Sequence, residues 1–140
     1  MKYYAVIDTN VLVSALLKEN SVPEEIIKYV IKDVIVPVLN VDILKEYQEV
    51  ITREKLHFKA AIIESILKLF QERGIFAEKT EINELFEDKS DAVFYQITMS
   101  SRATKETYLI TGNTRHFPKK PYVVTPRKML DIIEKVTKDN

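Results

Sequence analysis

A chain of 140 residues has the length of one folded domain, and 46% hydrophobic with 30% charged residues excludes a disordered one. Basic and acidic residues balance at 21 each, so no overall positive field can hold a nucleic acid; any such contact must rest on a local patch or a bound cation. Cysteine is absent, which excludes disulfides and thiolate metal sites, and no apolar run approaches the ~18 residues of a membrane span. The opening MKYYAVIDTN leaves no room for a signal peptide before Asp8, so a single cytoplasmic domain over residues 1–140 is expected.

Tyr3–Ile7 is a short, continuous apolar run and reads as a buried strand. Asp8-Thr9-Asn10 follows, and residues 11–17 are expected to be helical. Ser21 with Glu24 three residues on makes a capping-box pattern, with Pro23 in the first turn of a helix to about Lys32. Residues 34–38 read as a second strand, and Asn40 as the cap of a helix over Val41–Ile51. Apolar residues recur at helical spacing over 58–72, with Gly74 as a C-cap and a short strand near 75–77. Ser90 is expected to cap a helix from Asp91 to about Ser101. Strands at 107–111 and 122–125 follow, and Pro126 opens a last helix to about Val136. Strands alternating with helices predict βαβ units: a three-layer α/β/α fold around a central parallel sheet of about five strands.

Open parallel sheets bind ligands outside the carboxyl ends of their strands. Asp8 stands where the first strand ends, and Asn113 just past the end of the 107–111 strand. On the 41–51 helix, stepping ~100° per residue, Ile43, Leu44, Tyr47, Val50 and Ile51 make one apolar arc. Glu46 is the acid nearest that arc, while Asp42 and Glu49 point further towards solvent. Asp88 and Asp91 flank the start of the next helix. Each acid alone has an ordinary explanation. Glu46 can be a boundary residue with its head in water, Asp88 and Asp91 can complement a helix dipole, and Asp8 can cap a helix. Together at one sheet edge they would repel each other, and a hard oxygen-binding ion such as Mg²⁺ or Mn²⁺ would supply the missing charge.

Four blocks carry a resemblance: Ile7-Asp8-Thr9-Asn10-Val11-Leu12-Val13-Ser14-Ala15, residues 43–53 around Glu46, Asp88-Lys89-Ser90-Asp91, and residues 110–118 around Asn113. In that order and spacing they resemble the PIN domain nucleases, and within them the prokaryotic branch of toxin components of toxin–antitoxin systems (VapC-like). The resemblance covers about Lys2 to Ile133 and implies a PIN-like fold. It also implies that Asp8, Glu46 and Asp91 are the catalytic, metal-binding acids, with Asp88 accompanying them. Asn113 falls where many PIN domains have a fourth acid; an amide can coordinate but brings no charge, which weakens a second metal position. Thr9 and Thr111 are candidates for orienting the carboxylates or a bound water.

The implied activity is Mg²⁺- or Mn²⁺-dependent hydrolysis of RNA, leaving a 5′-phosphate and a 3′-hydroxyl. The implied partners are an RNA substrate, a cognate antitoxin and a second copy of the chain. Arg115, Lys119, Lys120, Arg127 and Lys128 form the densest basic stretch, interleaved with His116, Phe117 and Tyr122. Arg115, His116, Lys119 and Lys120 are the candidates for the RNA backbone; the alternatives are a solvated face, and for His116 a turn-capping role. Against the enzyme stand a catalytically decayed RNA- or protein-binding module, which Asn113 favours, and an RNA-processing or repair nuclease without an antitoxin.

Overall fold

The apolar runs pair into one all-parallel sheet, seen in a computed structural model that describes residues 1–139. Its strands are β1 (Tyr3–Ile7), β2 (Ile35–Leu39), β3 (Ile75–Phe76), β4 (Thr107–Ile110) and β5 (Val123–Val124), in the order β3-β2-β1-β4-β5. Central β1 sets Tyr4 opposite both Val36 and Thr107, and Ile7 opposite Ile110. Every residue of β2 is buried, the mark of a parallel strand covered on both faces.

Among the described residues six helices surround the sheet: α1 (Thr9–Leu17), α2 (Val22–Ile31), α3 (Val41–Ile51), α4 (Ala60–Arg73), α5 (Lys89–Arg102) and α6 (Pro126–Asp139). The crossovers through α1–α2 and α3–α4 run one way across the sheet, and the crossover through α5 runs the other. Right-handed connections in opposite directions put helices on opposite faces, which gives the three layers. Accordingly α2 packs on β2, α1, α4 and α6, while α5 packs on β1, β2 and β4. Helix α3 touches α1, α4 and α5, so it bridges towards the carboxyl ends of the strands.

Local chemistry accounts for the helix starts. Ser21 Oγ accepts from the Glu24 N–H at 3.3 Å, and Glu24 Oε1 accepts from the N–H of Asn20, one residue before the usual capping-box partner. Asn40 Oδ1 caps α3 by accepting from the Ile43 N–H at 2.8 Å. The helix expected from Phe58 begins instead at Ala60, because residues 54–56 form a 3₁₀ turn and His57 adopts a left-handed φ of 55°.

Gly74 ends α4 with φ −85°, so freedom of φ is not its purpose. A Cβ there would lie 2.6 Å from the Phe70 carbonyl oxygen and 2.9 Å from that of Pro37. Both are backbone atoms and cannot yield cheaply. Gly74→Ala is expected to cost about 1–3 kcal/mol, the usual scale of overpacking, read as a lower urea midpoint. An unchanged midpoint would show that β2 and α4 can part there without loss.

Candidate functional site

Since β2 and β3 lie to one side of β1, and β4 and β5 to the other, the winding direction switches between β1 and β4. Such a switch point opens a crevice at the carboxyl ends of the strands. Asp8 leaves β1 at that crevice, its N–H bonded to the Ile110 carbonyl at 2.9 Å.

Asp8 occupies the N-cap position of α1, yet its side chain makes no cap bond. The residue is 7% exposed. Its Oδ2 accepts from Thr111 Oγ1 at 2.7 Å and from Asn10 Nδ2 at 3.2 Å. Burial pushes the carboxyl above its ordinary value, and the Thr111 bond first, then the N–H groups of Thr9 and Asn10 and the charge of His116, pull it part of the way back. Thr111 Oγ1 also accepts from the Asn113 N–H at 3.0 Å, and Asn10 Oδ1 accepts from the Gly112 N–H at 3.1 Å. Asn10 therefore clamps the exit of β1 to the exit of β4. Sequence reasoning missed it; its place two residues after Asp8 was the sole signal.

Glu46 is placed by its neighbour. Tyr47 is fully buried, donates its hydroxyl to the Ile7 carbonyl, and packs its ring on Phe70 of α4 and Phe94 of α5. This anchor fixes α3 beside the end of β1, leaving Glu46 half-buried and Asp42 and Glu49 exposed. The Glu46 carboxyl is raised, first by burial and then by Glu49, with Asp88 and Asp8 adding and Arg53 opposing.

Helix α5 begins two residues earlier than expected. Asp88 is its N-cap: Oδ1 accepts from the Ser90 N–H at 2.9 Å and from Ser90 Oγ at 2.6 Å, which lowers the exposed Asp88 carboxyl. Ser90, expected as the cap, is a donor to it. Asp91, in the first turn of α5, has a side chain 19% exposed, with Oδ2 3.5 Å from His116 Nδ1. Burial first, then the charges of Asp8 and Asp88, push its carboxyl up to about 6 against the opposing pull of His116.

Three separate stretches of chain thus supply the acids, and the charges of Asp8 and Asp88 are felt by both Glu46 and Asp91. Among the described residues, no three His, Asp or Glu side chains stand together as a formed chelate. The donor chemistry nevertheless fits a hard divalent cation: carboxylate oxygens whose ionised forms are held at an electrostatic cost. Thr9 Oγ1, beside Asp8, is buried with no hydrogen-bond partner among the described residues. Asn113 is tied to Asp8 through its backbone, since its N–H bonds the Thr111 hydroxyl that donates to Asp8. It is exposed, and lines a cleft with Asn10, Ser14 and Gly112 that includes none of the carboxylates.

Arg115 and His116 share a cleft of about 510 Å³ with Asp88 and Asp91. Arg115 also lines a neighbouring groove of about 630 Å³ with Lys119, Lys120 and Lys128. The acid cleft and the basic groove therefore meet at one side chain.

A doubly wound parallel sheet with carboxylates near its switch point defines the class, an α/β domain of the architecture that binds ligands at the carboxyl edge of the sheet. A family model described as PIN domain matches residues 4–115, and the chain belongs to the PIN domain family. PIN domains are generally nucleases, and they generally use divalent metals such as Mg²⁺. No curated protein and no solved structure matches the chain.

Proposed function

We propose that this PIN domain is a metal-dependent endoribonuclease in which Asp8, Glu46 and Asp91 hold Mg²⁺ or Mn²⁺, with Asp88 beside them. The observation that carries the reading is electrostatic: burial first, and then the charges of Asp8 and Asp88, lift Asp91 to about 6, and Asp88 and Asp8 also add to the rise of Glu46. Ionising them together is unfavourable until a cation offsets the repulsion. When bound, the ion supplies positive charge to the scissile phosphodiester and acidifies the attacking water.

Asp8 contributes a carboxylate whose direction is set by Thr111 and Asn10. Glu46 is delivered by the Tyr47 anchor, and Asp91 by the first turn of α5. His116 stands beside Asp91, and Arg115, which lines the same cleft, takes a neighbouring phosphate of the strand. By their resemblance to PIN toxins, the four sequence blocks support three further readings: 5′-phosphate and 3′-hydroxyl ends, the toxin role in a toxin–antitoxin pair, and a homodimer.

The test is cleavage of single-stranded RNA in Mn²⁺, in Mg²⁺ and in excess chelator. Cutting with either metal and none in chelator is expected; cutting undiminished by chelator contradicts the metal. RNA binding with no cutting under any condition would favour a decayed binding module, the reading supported by the uncharged Asn113 at the expected fourth-acid position.

A further inference from the structure

We propose that the basic groove is a subsite for one nucleotide of single-stranded RNA, taking its phosphate on the cations and its base on the apolar residues. Its link to cleavage rests on the nuclease reading above; the binding itself needs no metal.

The groove lies between the 114–116 turn, residues 117–120, β5 and the start of α6. Its volume, about 630 Å³, falls within the roughly 300–1,000 Å³ of small-ligand clefts. The lining divides by chemistry. Arg115, Lys119, Lys120 and Lys128 supply four cations, and no acidic residue lines the groove, although the whole chain is neutral. None of the four enters an ion pair among the described residues. Like charges gathered without counter-charges repel, and an anion relieves that repulsion.

Pro118, Val123, Val124 and the margin of Phe117, which is 7% exposed and packs its ring on Phe86, form the apolar part of the lining. Cations beside an apolar surface match a nucleotide, which presents a phosphate and a flat, weakly hydrated base. A duplex keeps its bases stacked inside and offers that surface nothing, so the groove selects a single strand. Thr125 Oγ1 accepts from the Lys128 N–H at 3.1 Å and fixes the turn that carries Lys128. Because Arg115 lines both spaces, a strand engaged at the acids continues directly into this groove. The family match ends at residue 115, so the subsite is argued from this chain's own residues 117–128.

The experiment is fluorescence anisotropy of a labelled RNA tetranucleotide in chelator, over a series of salt concentrations. The parent is compared with Lys119→Ala/Lys128→Ala, whose sites are exposed; a matching thermal melt checks the fold. Removing two phosphate contacts is expected to reduce the slope of log affinity against log salt by about 1.4, at about 0.7 per contact for single strands. On the parent, an abasic oligomer of equal length should bind several-fold more weakly, since it offers no base to cover the apolar residues of the groove. An unchanged slope, or abasic and natural oligomers binding alike, overturns the subsite. The two readings fail separately. Salt-dependent binding that the double variant loses, with no cleavage in Mn²⁺, keeps the subsite and sinks the nuclease. Cleavage with binding unaltered in the double variant does the reverse.

Discussion

Asp8→Asn should lower metal-dependent RNA cleavage by about 10²–10³-fold, the scale of losing one preorganised electrostatic group, while leaving the fold intact. The substitution keeps size and shape. Both side-chain hydrogen bonds to Asp8 land on Oδ2, and an amide oxygen in that place still accepts from Thr111 Oγ1 and Asn10 Nδ2. What disappears is a charge that burial already disfavours. Because the folded pKa is raised, ionisation above it weakens the native state, so the variant should melt no lower than the parent in metal-free buffer at neutral pH. Cleavage and melting measured on one preparation separate chemistry from folding. A variant that cuts as well as the parent removes Asp8 from the metal site.

Asp91→Asn should abolish cleavage to a similar degree and also change the response of stability to pH and to metal. The Asp91 carboxyl rises from 3.8 to about 6 in the folded chain, so the native state binds this proton more tightly than the unfolded state does. Stability from this group is present below 3.8, declines as pH rises towards about 6, and stays lost above. Allowing for solvent screening at a partly exposed group, the variant should gain about 1 kcal/mol over the metal-free parent at neutral pH. Mn²⁺ should then raise the melting temperature of the parent and leave the variant nearly unmoved, since a ligand stabilises only the state that binds it. Parallel melting curves for the two proteins, across pH and with or without Mn²⁺, would contradict the assignment.

The parts of this architecture that local chemistry decides were legible in the sequence. The continuous apolar runs that became β1 and β2 read as buried strands, and Ser21 and Asn40 read as caps because their side chains reach N–H groups three residues on. The parts decided by distant partners were not. Asp8 has the right type and place to cap α1, but Thr111, 103 residues away in sequence, draws its carboxylate instead. Asp88 and Ser90 are both good capping residues; the structure gives the cap to Asp88 and lengthens α5. Glu46 was found by its angle on the helix, whereas the Tyr47 bond that fixes that helix against Ile7 spans 40 residues and leaves no periodic trace. The basic stretch was visible as composition. Its meeting with apolar residues in one groove appears only when the 114–120 segment folds against β5 and the start of α6.

Calorimetric titration of Mn²⁺ into the parent and into Asp8→Asn, Glu46→Gln and Asp91→Asn tests the shared cation most directly. The predicted result is saturable binding by the parent, weaker by about tenfold or more in each variant, the lower end of the 10–100-fold cost of disturbing even a supporting group at a metal site. No binding by the parent, or equal binding by all four proteins, would contradict it.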